Sequence, residues 1–508
     1  ASAGLQPNQP AGKRVLIRRV YYGLTGLPPS KADVDAFVAD QTPDAFKNVV
    51  NRLLRSEHYG ERWGRHWLDL VRCAETNSFE RDGPKANAWK YRDYVIRSFN
   101  EDKPYDQFIR EQIAGDELDE VTEETLTATG FYRLGIWDDE PADPLQARFD
   151  ALDDIILTTG QSLLGLTVNC ARCHDHKIDP IPQTDYYSLL SFFEDVTPYA
   201  RRGDLTSYSQ IDVSSQDLKD QYADNDRNRL RLEKEIRDVE QIGIAKMSAP
   251  DQRATEGSKR DRNQILGTKL KKNLTIDQWN HYKDLKAQLK QNATELKELP
   301  AREQVMGLAT YRKIDEPTYV LYRGSPHSPS DEVAPAFPSL FEAAPPELPE
   351  TESTTRSSAG RRRVLADWIA SPNNRLTARV IVNRIWQFHF GRGIVRSSNN
   401  FGQLGTPPTH PELLDYLASR FIDEGWSIKS MHRMILSSRA YQMSSQGNSA
   451  SLKVDPDNDL FWRFDPRRLS AEEVRDSILA ANGSLNRAVY GPSVYPTLSA
   501  EVLAGQSK

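Results

Sequence analysis

The pentapeptide Cys170-Ala171-Arg172-Cys173-His174 constrains this chain more than any other stretch of its sequence. The 508 residues contain only three cysteines, of which two fall within the pentapeptide and the third is Cys73. A secreted scaffold built on disulfides needs many more cysteines, so that class of protein is excluded. Two thiols three positions apart, followed at once by an imidazole, have the spacing for thioether attachment of haem c. His174 would then be the proximal iron ligand.

The same residues permit two other interpretations. Cys170 and Cys173 have the spacing of a local disulfide, and with His174 and His176 they would supply ligands for zinc. A Cys-x-x-Cys-His string seldom arises by chance in a chain with so few cysteines, so we expect covalent haem c. His176 is then predicted to orient a neighbouring group together with a nearby aspartate, or to bind a possible second metal ion.

Composition narrows the class of protein further. A net charge of −6 over 508 residues gives no general affinity for nucleic acid. No run of about 18 apolar residues occurs, so we expect no transmembrane segment. No signal-peptide pattern opens the chain, whose start is compatible with a mature or trimmed form. Thioether attachment of haem normally takes place outside the cytoplasm, so we expect a periplasmic or secreted protein.

Apolar periodicity predicts a mainly α fold with a minor β element. Residues 12–205 form the predicted haem-bearing helical domain, and residues 359–508 form a second helical domain that shares its core. Between them we predict a charged helical hairpin at residues 206–312. A strand and a proline-rich linker follow at residues 313–358.

The hairpin is predicted from two heptad-like arms. In both arms, residues recur at alternating spacings of four and three, and a polar, glycine-containing stretch separates the arms. The positions are Leu218, Tyr222, Asn225, Arg229, Leu232, Ile236 and Val239 in the first arm and Tyr282, Leu285, Leu289, Asn292, Leu296 and Leu299 in the second. A solvated, coiled-coil-like spacer is the simpler interpretation, and a docking arm for a partner protein is the other.

Two local patterns make further predictions. The apolar residues from Leu152 to Leu166 predict a long helix that leads into Cys170 and carries the haem site into a core, away from bulk water. Thr409 with Glu412 and Ser470 with Glu473 each predict a capping box at the start of a C-terminal helix. No phosphate-cradling glycine loop occurs, so a nucleotide cofactor is disfavoured.

Several longer strings are shared with one known family. They are ERWGRHWLDL (61–70), DKPYDQF (102–108), GLTVNCARCHDHK (165–177), RVIVNRIWQFHFG (379–391), PTHPELLD (408–415) and DPRRLSAE (465–472). The chain resembles the planctomycete cytochrome-c-like proteins. In these, a domain of unknown function that bears Cys-x-x-Cys-His precedes a second, C-terminal domain of unknown function. The resemblance covers most of the chain outside the charged insert.

The resemblance implies a secreted haem protein. This chain also differs locally from the family's usual sequence. Relatives of this type often carry a further cytochrome domain ahead of this region, whereas no second Cys-x-x-Cys-His occurs in these 508 residues. The family's usual Tyr-Ala-Asp-Thr-Asn-Gly is replaced by Cys-Ala-Glu-Thr-Asn-Ser at residues 73–78. The carboxylate there is longer by one bond, and Cys73 is expected to be a free, partly buried thiol.

The ligand on the second face of the haem iron decides between electron transfer and substrate chemistry. His66 and His389 each lie in one of the shared strings, so both are candidates for this distal position. With His66 as distal ligand, His174 and His66 would together hold the iron. For each candidate, the simpler alternative is a structural histidine held by hydrogen bonds.

A second set of residues is aromatic and polar, as a site for a sugar-like polyol would be. Its members are Trp63, Trp67, Trp89 and Tyr91 with Asp69, Arg72, Glu75, Asn77, Glu80 and Asp82. One of the candidate catalytic residues Glu75, Asp82, Asp69 and His389 would take a hydroxyl proton as electrons leave the substrate. The simpler alternative is that these tryptophans belong to the core and that the acids pair with nearby arginines.

These observations predict an extracytoplasmic c-type haem oxidoreductase. It would oxidise a small or carbohydrate-derived substrate and pass the electrons to a partner cytochrome. One alternative is a non-catalytic electron-transfer or assembly protein that uses the charged hairpin for docking. The other is a zinc-site protein that carries no haem.

Overall fold

The computed structural model describes residues 4–77, 82–138, 140–197, 209–352, 354, 357–494 and 497–504. Glu80 and the predicted domain boundary at 205/206 lie outside these residues. The chain divides into two compact units. One contains Ala1–Ile211 and Val305–Lys508, and the other is the insert Asp212–Gln304.

Helices dominate both units, which confirms the prediction of a mainly α fold with a minor β element. The helices are α1 Lys13–Thr25, α2 Lys31–Ala39, α3 Ala45–Leu54, α4 Glu57–Leu70, α5 Ala88–Asn100, α6 Tyr105–Ala114, α7 Glu123–Ala128, α8 Pro144–Thr159, α9 Gln183–Leu190, α10 Gln216–Ile244, α11 Ala249–Thr255, α12 Lys259–Lys269, α13 Ile276–Glu298, α14 Arg361–Ile369, α15 Thr377–Phe390, α16 Pro411–Asp423, α17 Ile428–Ser437, α18 Arg439–Gln442, α19 Ser449–Val454, α20 Ala471–Ala481 and α21 Ala500–Ala504.

Short strands supply the minor β element. They are β1 Gln210–Asp212, β2 Gln304–Met306, β3 Thr318–Leu321 and β4 Pro329–Val333. β1 pairs with β2, and β3 pairs antiparallel with β4, with Thr318 opposite Val333. None of the described helices combines the length and the apolar character needed to cross a bilayer.

The larger unit has one hydrophobic core to which both of its chain segments contribute. Tyr105 of α6 lies 6.1 Å from Phe421 of α16, measured between ring centroids. Trp63 of α4 lies 5.9 Å from Phe388 of α15 by the same measure. The prediction that two helical domains share a core is therefore confirmed.

A buried ion cluster also joins the two segments. Arg362, at the start of α14, has a fully buried side chain and forms a bidentate pair with Asp116, with N–O distances of 2.8 and 2.7 Å. The same guanidinium group lies 2.8 Å from Glu117 and 3.6 Å from Asp195. Because removing one partner leaves the others buried without compensation, such a cluster holds its elements together strongly.

The cluster contains three carboxylates and only one fully buried guanidinium group. Burial raises the pKa of Glu117 to about 7, and the charges of Asp116 and Asp195 act in the same direction while Arg362 opposes them. The side chain of Glu117 is only 2% exposed. Glu117 therefore holds a proton more readily in the folded chain than in the unfolded chain.

The insert forms the predicted antiparallel helical hairpin. α10 packs along α13, and Leu232, Ile236, Val239 and Leu285 form a small core between them. Asn225 and Asn292 exchange hydrogen bonds: each side-chain amide donates to the other's backbone carbonyl, at 3.0 and 3.1 Å. The predicted polar stretch between the arms contains two further helices, α11 and α12.

The predicted capping box at Thr409 is wrong. α16 begins at Pro411 after His410, and no side chain caps it. Proline is favoured at the first helical position, so Pro411 places the N-cap at His410 and leaves Thr409 one residue outside the capping position. The same signal is correct at Ser470 and Glu473, where both reciprocal hydrogen bonds form.

Glu117→Gln should change how stability depends on pH. The pKa of Glu117 lies above its ordinary value of 4.5 in the folded chain, so its contribution to stability is lost as pH rises from about 4.5 to about 7. Between about pH 5 and about pH 7.5, we expect this loss to be about 2.4 kcal/mol in the wild type and to be absent in the variant. The measurement is the urea midpoint at the two pH values.

The exposed Glu120 provides the matched control. Glu120→Gln should show the wild-type difference between the two pH values. An equal difference in wild type and Glu117→Gln would show that the buried cluster does not titrate in this window.

Candidate functional site

The pentapeptide lies at the surface of the larger unit. Val168–Arg172 forms a 3-10 turn, and Cys170, Cys173 and His174 are exposed on this turn and the loop that follows it. Both thiols are free. The prediction that a long helix carries the pentapeptide into a core is wrong, because the chain leaves the helical path at Gly165, where φ is +62°.

Arg172, the middle of the pentapeptide, anchors the loop to α8 and α9. Its guanidinium group donates to Asp150 at 2.6 Å and lies 3.5 Å from Asp153. Its backbone carbonyl accepts hydrogen bonds from Gln183 at 2.9 Å and from the hydroxyl of Tyr187 at 2.8 Å. The cysteines therefore stand on a fixed support although they face solvent.

The side chain of His174 is oriented by its own loop. Its Nδ1 lies 2.6 Å from the backbone carbonyl oxygen of Asp175. A carbonyl can only accept, so Nδ1 carries the hydrogen and the lone pair is on Nε2. Metal-bound histidines in proteins are commonly oriented by this kind of hydrogen bond.

A turn from another part of the chain closes against Cys173. Gly324 has φ of +72°, and a Cβ atom at this position would lie 2.8 Å from Cys173 Sγ. Two residues earlier, Tyr322 leaves 63% of its surface exposed, and Ile178 in the attachment loop leaves 38% exposed. Two thiols, one oriented imidazole and exposed apolar side chains thus occur on the same loops, which fits the attachment of a porphyrin.

The side chain of His176 is only 7% exposed, and both of its ring nitrogens are engaged. Nδ1 accepts from the backbone amide of Asp179 at 2.8 Å, and Nε2 lies 3.3 Å from the hydroxyl of Thr167 and 3.7 Å from the Asp179 carboxylate. This geometry favours the predicted orienting role over direct metal binding. Within the described part of the chain, no three His, Cys, Asp or Glu side chains converge as a metal ion would need.

The structure does not bring His66 to the attachment loop. Its ring lies flat on Phe388, with centroids 3.7 Å apart and planes 9° apart, and packs edge-on against Trp63. Burial lowers the pKa of His66 well below its usual value, with the charge of Arg62 acting in the same direction. In this arrangement His66 is a neutral, packed side chain, whereas His174 is exposed.

His389 is likewise buried away from the attachment loop. Its Nε2 lies 2.9 Å from Nδ1 of His432 on α17, so one imidazole donates and the other accepts. Burial lowers the pKa of His389 to about 3 and that of His432 well below its usual value, so both rings are neutral. Neither His66 nor His389 is therefore placed as a distal ligand opposite His174.

Comparison with known families agrees with the two-part organisation. Residues 1–198 match PSCyt2, a protein of unknown function (DUF1549), and residues 361–508 match PSD1, a protein of unknown function (DUF1553). The two matches follow each other in the order of the domain pair that the sequence analysis identified, which confirms that resemblance. No curated protein and no solved structure matches the chain. PSCyt2 carries the pentapeptide, and the single core shows that PSCyt2 and PSD1 form one structural unit here.

The aromatic residues proposed for a polyol site in PSCyt2 belong mostly to the core. Trp63, Trp67 and Tyr91 are at most 3% exposed. The indole of Trp67 donates to the hydroxyl of Tyr91 at 3.2 Å, and that hydroxyl donates to Gln112 at 2.6 Å. These side chains are therefore occupied with each other, and no carbohydrate face is left open on them.

The candidate acids of PSCyt2 lie in different surroundings. Glu75 accepts from Arg92 at 3.2 Å and from the hydroxyl of Ser493 at 2.6 Å, which ties the PSD1 tail to α5. Asp69 is exposed and lies 3.8 Å from Arg65. Asp82 is exposed in a left-handed backbone conformation with φ of +44°.

Sequence reasoning missed Lys85, because no motif marks it. Its ammonium group is buried and donates to the backbone carbonyls of Leu134 and Gly135 at 2.9 and 2.6 Å. Burial lowers the pKa of Lys85 to about 8. The neighbouring thiol of Cys73 is free and half-buried as predicted, and burial raises its pKa to about 11.

In protein produced without haem, we expect two thiols to react quickly with a chromogenic disulfide reagent and one to react slowly. Cys170 and Cys173 are exposed, whereas the pKa of Cys73 lies two units above its ordinary value of 9.0. At neutral pH, the fraction of Cys73 present as thiolate is therefore about a hundred-fold smaller than that of a thiol with the ordinary pKa of 9.0. Stopped-flow absorbance measures both phases.

Single variants assign these phases. Cys73→Ala should remove only the slow phase, and Cys170→Ala should remove half of the fast phase. A fast phase that disappears in Cys73→Ala would contradict the structure of this site.

Proposed function

We propose that this chain is an extracytoplasmic redox protein that carries haem c on Cys170 and Cys173, with His174 as its proximal iron ligand. The observation that carries the proposal is the pair of exposed, free thiols beside an imidazole whose Nδ1 hydrogen is held by Asp175. This hydrogen bond leaves Nε2 as the coordinating nitrogen. The absence of a converging ligand set among the described residues makes zinc the weaker alternative.

Bound haem supplies one-electron acceptance and release. The chain itself contributes a fixed support, because Arg172 ties the loop to α8 and α9. It also leaves the attachment residues accessible, because Cys170, Cys173 and His174 lie at the surface. A partner cytochrome could therefore approach the attachment face without any opening of the core, which supports electron exchange with a second protein.

The proposal includes the oxidation of a small or carbohydrate-derived substrate. The tryptophans of PSCyt2 are core residues, and Glu75 ties down the PSD1 tail, so neither supplies a substrate site. The fourth candidate catalytic residue, His389, has a neutral imidazole whose Nδ1 has no hydrogen-bond partner. A pure electron carrier is the alternative that needs no substrate site at all.

The proposal is tested by producing the chain in a periplasm that attaches haem c and denaturing it in alkaline pyridine. We expect about one covalently held haem per chain, detected by the visible spectrum of the pyridine complex. Cys170→Ala combined with Cys173→Ala should retain no haem, and Cys73→Ala should retain as much as the wild type. A colourless wild-type protein with free thiols or bound zinc would refute the proposal.

A second measurement separates the oxidoreductase from the carrier. The haem absorbance of the oxidised protein is followed after addition of a panel of sugars, and separately after addition of a small reduced cytochrome. Reduction by a sugar supports the oxidoreductase. Haem that stays oxidised with every sugar but exchanges electrons with the cytochrome supports the carrier.

A further inference from the structure

A cavity of ≈ 170 Å³ lies between α1 and the PSD1 segments that pack on it. Arg18, Arg19 and Gly23 of α1 line it from the PSCyt2 side, and His389, Tyr441 and Arg467 line it from the PSD1 side. At about 30 Å³ per water molecule, its volume corresponds to five or six waters. The cavity is therefore of a size for a small organic molecule.

The floor of the cavity holds two buried polar atoms without a hydrogen-bond partner. They are Nδ1 of His389 and the hydroxyl oxygen of Tyr441, in residues that are 3% and 1% exposed. A Cβ atom on Gly23 would lie 3.9 Å from the first and 3.5 Å from the second. Buried polar atoms are normally paired, so two such atoms beside one open space indicate a ligand group between them.

The floor can act as donor or acceptor. His389 is neutral, and its other nitrogen shares a hydrogen with His432 at 2.9 Å. Depending on which ring holds that shared hydrogen, Nδ1 of His389 offers either an N–H group or a lone pair. The hydroxyl of Tyr441 can also donate or accept. Both atoms thus match a ligand hydroxyl, which has the same dual character.

The walls of the cavity are positively charged. The guanidinium group of Arg19 donates to the backbone carbonyls of Tyr441 and Met443 and stacks 3.5 Å from the ring centre of Phe464. Arg18 stacks over Tyr22 at 4.7 Å. Neither arginine pairs with an acidic side chain among the residues that the structure describes.

The acid that pairs with the third arginine, Arg467, does not cancel this positive charge. Arg467 pairs with Glu473 at 2.8 and 2.6 Å, but Arg62 shares the same carboxylate at 3.1 Å. Two guanidinium groups therefore face one carboxylate, and the region keeps a net positive charge. Arginine pairs well with carboxylates and other oxyanions, because its planar fork of N–H groups matches two oxygens.

We propose that this cavity binds a small hydroxylated organic anion, with its carboxylate at Arg18 and Arg19 and a hydroxyl group between His389 Nδ1 and the Tyr441 hydroxyl. The proposal stands on the cavity alone and does not require haem on the attachment loop. It concerns a site that both domains build, since α1 belongs to PSCyt2 and the other floor residues belong to PSD1.

Isothermal titration of the full chain with four probes tests the chemistry. Glycerate and glucuronate each carry a carboxylate and hydroxyl groups, and glycerol and glucose are their uncharged counterparts. We expect at least one of the two acids to bind with at least about ten-fold higher affinity than its neutral counterpart, because the charged contact is lost in the latter. Failure of both acids to bind would overturn the proposal.

Gly23→Ala tests the floor. The added methyl group would touch both unpartnered atoms at ordinary contact distances, so it fills the place of the ligand hydroxyl without a clash. Alanine also favours a helix over glycine, so the melting temperature should stay the same or rise. We expect affinity for the bound acid to fall by about ten-fold or more, since buried hydrogen bonds are lost.

Two further variants complete the test. Arg18→Gln, at an exposed position, should weaken binding of the acid and leave its neutral counterpart unchanged. Gly267→Ala is the matched control, because this glycine lies within α12 of the insert and a Cβ there meets open space. Inorganic sulfate that binds as tightly as the acid, with no effect of Gly23→Ala, would show a merely basic surface and overturn the proposal.

Different results would refute haem attachment and acid binding. Loss of covalent haem in the pyridine spectrum leaves acid binding at the cavity untouched. Conversely, a haem-bearing chain that binds neither acid would refute the cavity proposal alone.

Discussion

The buried guanidinium group of Arg362 is the interaction on which the architecture depends. It lies at the first turn of PSD1 and meets three carboxylates of PSCyt2, namely Asp116, Glu117 and Asp195. A charge of this kind in a core is tolerated only when it is paired, so PSD1 cannot leave PSCyt2 without exposing or stranding these groups. This explains why two sequence families of unknown function share one core in this chain rather than forming two bodies on a linker.

The two proposed sites relate to that union in different ways. The attachment loop uses PSCyt2 helices as its support, with Arg172 bonded to α8 and α9, and it faces outward. The arginine cavity needs both domains, because Gly23 comes from one and His389 and Tyr441 come from the other. The proposed haem at the surface and the proposed anion site inside the union are compatible with either an oxidoreductase or an electron carrier.

Some features could be predicted because local chemistry decides them. The antiparallel hairpin followed from its heptad spacing, and Asn225 and Asn292 meet as equivalent core positions of its two arms. Capping at Ser470 also followed, since it involves residues only three apart. The surroundings of the tryptophans proposed for the polyol site could not be predicted, because they depend on residues distant along the chain. In the amino-acid sequence, Trp67 and the nearby acids look the same whether the indole faces a ligand or, as here, the hydroxyl of a core tyrosine.

The sequence by itself determined the residues and spacing of the pentapeptide and the order of PSCyt2 and PSD1, because both are written in contiguous residues. Only the tertiary structure decided which histidine is available. His174 is exposed with one nitrogen held, His66 is stacked flat on Phe388, and His389 shares a hydrogen with His432 on another helix. The stacking of His66 on Phe388 and the contact of His389 with His432 join segments that are distant along the chain, and spacing within one segment carries no information about such contacts.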